Sequence, residues 1–172
     1  MASNKRPRNL GLLPGGAIWR KPWAEEAAWF AANPQVSGFV AEDNRVVLNE
    51  NTQLRPRQLR TVLVNEAVRA YLRRRGCFLP MTFLTPFQRR RFAAYGRPVY
   101  CAHTVIARIV AGDPSGGCPT TQQRRLARTL RKLMKMDIYH RSRRAALHHL
   151  FAMARARRVK VVGSTVHKLS SS

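Results

Sequence analysis

The sharpest pattern of apolar and polar positions runs from 119 to 136 (PTTQQRRLARTLRKLMKM), where Thr120 or Thr121 can cap a helix. At about 100° per residue, Arg124, Arg125, Arg128, Arg131, Lys132 and Lys135 fall within an arc of roughly 120°. Leu126, Ala127, Leu130, Leu133 and Met134 occupy a separate arc of similar width. The spacing predicts one face docked on a core and an opposite ridge of cations with no anion among them. Residues 56–75 (PRQLRTVLVNEAVRAYLRRR) predict the main core helix, with Pro56 suited to its start and Gly76 to its end. Leu59, Val62, Leu63, Ala67 and Ala70 share one face, and Val64, Val68, Tyr71 and Leu72 populate the other side. Such a helix is packed on two sides.

The remaining elements are shorter. Residues 23–32 (WAEEAAWFAA) read as a helix with a Trp23, Ala27, Phe30 stripe, anions Glu25 and Glu26 in its first turn, and a stop at Asn33-Pro34. Val36–Leu48 reads as two extended pieces around Glu42-Asp43-Asn44, a hairpin pattern. Residues 77–84 read as an extended apolar piece broken by Pro80. Thr85-Pro86 then starts a helix carrying Arg89, Arg90 and Arg91 and ending near Tyr95-Gly96. Residues 100–111 fit a helix better than a buried strand. Gly112–Gly117 lacks the Gly-Lys-Ser/Thr of a phosphate-binding loop and reads as a turn. A second basic helix is expected over 142–158, with a Leu147, Leu150, Phe151, Ala154 stripe and Arg143, Arg144, Arg155, Arg157 and Arg158 around it. Val159–Val162 reads as a short extended piece.

The expected fold class is mainly α, with a small α+β variant: a compact helical domain carrying a short N-terminal hairpin and a basic arm. The expected organisation is a flexible basic arm (1–22), one mostly helical domain (23–163) and a disordered tail (164–172). The domain divides into a near-neutral part (23–50) and a strongly basic part (51–163).

Charge sharpens this reading. The 172 residues hold 32 Lys+Arg and 8 Asp+Glu, a formal net charge of +24, and 26 of the bases are Arg. Residues 1–50 have six bases and five acids, a balance of +1. Residues 51–172 have 26 bases and only Glu66, Asp113 and Asp137, a balance of +23. Phosphate is the usual counter-surface for such a charge. Arg holds phosphate bidentately and stacks on bases, which favours RNA over DNA as partner; a GC-rich genome is the bland source of the same bias. On the 119–136 helix, like charges at Arg124/Arg128 and Arg131/Lys135 repel, which an external polyanion relieves. The expected nucleic-acid contacts are Arg89, Arg90, Arg91, Arg124, Arg125, Arg128, Arg131, Lys132, Lys135, Arg143, Arg144, Arg155, Arg157 and Arg158. Phe78, Phe83, Phe87, Phe92 and Tyr95 interleave with the arginine triplet and read as core before base-stacking platform.

Other chemistry is thinly supplied. Cys77, Cys101 and Cys118 are odd in number and widely spaced, which reads as free thiols in a reducing intracellular compartment, without zinc or another cofactor. Cys101 and His103 could form a nucleophile pair only on an extended backbone, where residues two apart share a face. Glu66 reads as the partner of Arg69 at i+3, with a catalytic carboxylate as the sharper alternative. No apolar run spans a membrane and no secretory leader is expected. The reading is a non-enzymatic nucleic-acid-binding protein of low sequence specificity. A fixed component of a ribonucleoprotein particle or virion, and a small cysteine enzyme using Cys101 and His103, are the alternatives. The near-neutral N-terminal third (Trp23, Trp29, Phe30) is a possible protein contact.

Overall fold

A helix that is apolar around most of its circumference must be covered on two sides, and the fold is arranged around that requirement. A computed structural model describes residues 9–93 and 98–136. Its strands are β1 (Asn9–Leu12), β2 (Ile18–Arg20), β3 (Gly38–Val40) and β4 (Val46–Leu48). Its helices are α1 (Ala24–Ala32), α2 (Pro56–Arg74), α3 (Pro86–Phe92), α4 (Pro98–Ala111) and α5 (Thr121–Leu133). The architecture is mainly helical with a small sheet, as the sequence predicts. α2 packs on the sheet through one side and on α4 through another, and α5 packs on α4 in turn. Leu63, Val64, Ala67, Val68 and Leu72 of α2 are buried, as are Val105, Ile106 and Val110 of α4.

The sheet order is β1-β2-β4-β3. β3 and β4 form the antiparallel hairpin expected between Val36 and Leu48. Its turn places Asn44 at φ 59°, a left-handed conformation that Asn tolerates better than most residues. The central pair, β2 and β4, is parallel, and Val46, Val47 and Leu48 are all buried. Phe30 of α1 packs with Ala41 and Val47 beneath Val36 and Phe39.

Residues 9–20 correct the reading of 1–22 as an arm. They form β1, a 3-10 turn at Pro14–Gly16, and β2, which pairs antiparallel with β1. The glycines and proline that look like loose chain make a tight turn. Leu13, Pro14, Ala17 and Trp19 are buried, but the strands are too short to show alternation. Gly15 sits at φ 70° and donates its amide to the Met134 carbonyl at 3.0 Å. A Cβ at Gly15 would lie 2.8 Å from the Tyr71 ring and 3.1 Å from Met134 Cγ. Arg74 of α2 donates to the carbonyls of both Gly15 and Gly16. Residues 1–8, with Lys5-Arg6-Pro7-Arg8, lie outside the described residues. So do the 142–158 helix, the 159–162 piece, the 164–172 tail and the expected end of α3 at Tyr95-Gly96.

Gly15→Ala should destabilise the protein by about 2–4 kcal/mol, combining left-handed strain with overpacking. Urea denaturation of the variant against the parent measures it.

Candidate nucleic-acid interface

Two similar local sequences launch the cationic helices. Thr85-Pro86-Phe87-Gln88 starts α3 and Thr120-Thr121-Gln122-Gln123 starts α5, and both are capping boxes. Thr85 Oγ1 accepts from the Gln88 amide nitrogen at 3.2 Å, and Thr120 Oγ1 from that of Gln123 at 3.1 Å. The glutamine side chains answer by accepting from the Thr85 and Thr120 backbone N–H groups. Both glutamines are fully buried and face each other. Gln88 Nε2 donates to Gln123 Oε1 at 3.1 Å, and Gln123 Nε2 donates to Gln88 Oε1 at 2.8 Å. Their remaining donor positions go to the carbonyls of Gly116 and Phe83. Gln123 lies in the middle of α5's docking arc, a polar residue where the sequence pattern shows only apolar ones.

Arg89, Arg90, Arg91, Arg124, Arg125, Arg128, Arg131, Lys132 and Lys135 are all exposed, and none of the ion pairs among the described residues involves α3 or α5. Their roles differ. Arg131 donates to the carbonyls of Ile109 and Val110 at 3.0–3.2 Å, closing the end of α4 where a cation also meets the helix dipole. Arg124 Nε donates to the Pro119 carbonyl at 3.1 Å. Arg91 lies 5.9 Å from the Phe87 ring centroid. Lys135 falls after α5, at φ 51°, so it leaves the helical ridge predicted for it. That reversal lets Met134 and Met136 bury. Arg125, Arg128 and Lys132 remain as the exposed centre of the ridge. Arg143, Arg144, Arg155, Arg157 and Arg158 lie outside the described residues.

Three of the five N-terminal acids, Glu26, Asp43 and Glu50, pair with nearby bases. Buried Arg20 meets both carboxylate oxygens of Glu26 at 2.6 and 2.7 Å and Asp43 at 2.9 Å. Glu26 also accepts from the Trp23 backbone N–H. Lys21 and Glu50 lie 3.6 Å apart. The near-neutral balance of the first fifty residues is thus largely a network of close pairs. Beside it Trp29 packs edge-on against Phe30 and Phe39 and stays half exposed.

The catalytic alternatives find little geometry. Residues 98–111 are helical, so the extended backbone that would bring Cys101 and His103 to one face is not there; on a helix, positions two apart stand about 200° apart. His103 is buried and its Nε2 lies 2.9 Å from the Cys77 carbonyl, so this nitrogen carries the proton and donates. Burial lowers its pKa, and Arg69 adds to the effect. Glu66 is buried and pairs with Arg69 at 3.1 Å, the structural role expected of it. Burial raises its carboxyl pKa against the pull of Arg69. Cys77 and Cys118 are exposed free thiols. Among the described residues, no three His, Cys, Asp or Glu side chains gather to hold a metal, and no helix is long and apolar enough to cross a membrane.

Sequence reasoning missed Gln88 and Gln123. Their signal was the repeated Thr-x-x-Gln, which marks a capping box at each helix start. Gln123→Ala should cost about 3–4 kcal/mol, because it strands buried partners. In a denaturation cycle with Gln88→Ala, the two losses should be coupled by about 1–3 kcal/mol rather than add. His103 supplies a pH signature. Its neutral ring is favoured in the fold, so its contribution is present above the ordinary value of 6.5 and is lost as pH falls through the lowered folded pKa. The urea midpoint should drop as pH falls below 6.5, and His103→Gln should flatten that drop. Comparison with protein-family models, with curated proteins and with solved structures gives no match, so the functional reading rests on the residues themselves.

Proposed function

We propose that this chain is a non-enzymatic nucleic-acid-binding protein, favouring RNA over DNA, that contacts phosphates through the arginine-rich surfaces of α3 and α5 with little sequence preference. One observation carries the reading: the exposed cations of α5 have no carboxylate partner among the described residues, while Glu26, Asp43 and Glu50 pair with Arg20, Lys21 and Arg45 of the N-terminal part. From residue 67 to 136 the single acid is Asp113, and it lies 3.9 Å from Arg108 rather than at the ridge. A cationic face of this kind attracts a polyanion and releases its counterions. Arg supplies planar donor forks for phosphate and a flat cation for bases, which supports RNA over DNA. Few exposed side chains offer a base-edge code, which supports weak sequence preference.

Binding to labelled RNA should weaken steeply between ~50 and ~200 mM salt. Replacing Arg124, Arg125, Arg128 and Lys132 by Gln should lower the magnitude of the salt slope by about 3 and leave the thermal midpoint nearly unchanged. Fluorescence anisotropy titrations read the first and circular dichroism the second. A flat salt response would remove the proposal, and an unchanged slope in the variant would remove α5 as the interface.

A further inference from the structure

The outer side of α5 holds a second feature that charge does not explain. Leu126 and Leu133 belong to the predicted docking arc, yet the structure buries only part of that arc: Gln123, Ala127, Leu130 and Met134. Leu126 is half buried and Leu133 is 59% exposed. Along this side Gln122, Arg125, Leu126 and Thr129 form one wall of an open groove of about 410 Å³. The opposite wall is the 79–83 turn, with Leu79, Pro80 and Thr82. Phe78, next to Leu79 in the chain, is 74% exposed.

The groove mixes apolar lining from Leu79, Pro80, Phe83 and Leu126 with polar lining from Thr82, Gln122, Arg125 and Thr129. Arg125 belongs to both the groove and the cationic ridge, and Lys132 follows it two turns along the same line of α5. Any occupant must therefore present a flat or apolar group to Leu79, Pro80 and Leu126 while carrying negative charge past Arg125 and Lys132. A single-stranded nucleic acid does both. Its base has an apolar face that stacks on aromatic and guanidinium planes, and its phosphates follow the cations. The Gln122 amide and the Thr82 hydroxyl can hydrogen-bond a base edge. We infer that the groove between α5 and the 79–83 turn receives an unstacked base of a single strand whose phosphates run along Arg125, Arg128 and Lys132, with Phe78 available to stack.

This inference rests on the nucleic-acid reading above and adds a preference for strands with accessible bases. The full chain is titrated with labelled oligouridine, with its duplex with oligoadenosine, and with an abasic strand of the same length. Oligouridine should bind about tenfold more tightly than the abasic strand at equal salt, and more tightly than the duplex. Phe78→Ser and Leu126→Gln should each erode that preference and leave abasic binding and the salt slope unchanged. Photocrosslinking of a thiouridine strand to the unaltered protein needs no variant, and its adducts should fall within residues 78–83 and 122–129. Equal affinity for base-bearing and abasic strands would overturn the groove while salt-dependent binding preserved the phosphate reading. Adducts confined to other residues would also overturn it and leave the groove to a protein ligand. Loss of salt-dependent binding altogether would overturn both.

Discussion

A primary amide has two donors and two acceptor positions, and in a dry interior an unmet position costs about 1–3 kcal/mol. Gln88 and Gln123 are fully buried, so each must find partners from a fixed geometry. They do so by pairing with each other and by reaching the first backbone N–H of each capping box, the Gly116 carbonyl and the Phe83 carbonyl. One polar junction thereby fixes where α3 and α5 begin and how the 79–83 and 114–116 turns lie against them. Apolar packing alone would tolerate sliding of α5 along α4, whereas eight directional positions in one small volume do not. The arginines of α5 acquire a defined place because its origin does.

The distribution of charge follows from the same economy of partners. Arg20 is buried because Glu26, Asp43 and the Lys21 carbonyl surround its guanidinium. A cation so placed needs all of them, since removal of one partner exposes the others to an uncompensated interior charge. Glu26, Asp43 and Glu50 therefore serve bases near the sheet. No ion pair among the described residues reaches α5, whose like charges at Arg124 and Arg128 stand one turn apart. What holds that helix in place is the buried side: Ala127, Leu130 and Met134, with the Thr120 cap. Repulsion on the outer face is outweighed locally and remains available for an anion to relieve.

The helices were largely legible because their punctuation is local. Pro56, Thr85-Pro86 and Thr120 sit where they begin, and the periodicity of α2 and α5 is strong. The Val36–Leu48 hairpin was legible through its turn residues. β1 and β2 were not, because strands of three and four residues with a Pro-Gly-Gly turn show no alternation, and their stability comes from pairing with β4 and from Arg74. Periodicity also assigned Leu126 and Leu133 to the docked face, since it fixes which residues share a side but not how wide the contact is. α4 covers only the narrower arc around Leu130. The cations of the ridge were readable as a group, whereas the division of labour among them was not: Arg131 turns to the end of α4 through contacts more than twenty residues away in sequence.

The bond from Gly15 to Met134 joins the first described strand pair to the last described helix. Its acceptor emerges from the ribosome only after α5 has been made, so the Pro14–Gly16 turn waits through the synthesis of nearly the whole unit before its last partner arrives. The β3–β4 hairpin and α2 can form early from neighbouring residues. The β1–β2 ribbon and the Arg74 contacts can follow. Sealing of the Tyr71 side of α2 by Met134 must wait for the end of α5. A nascent chain stopped short of Met134 therefore carries an unfinished seam on its central helix, and the order of synthesis makes completion of the cationic helix the event that closes that seam.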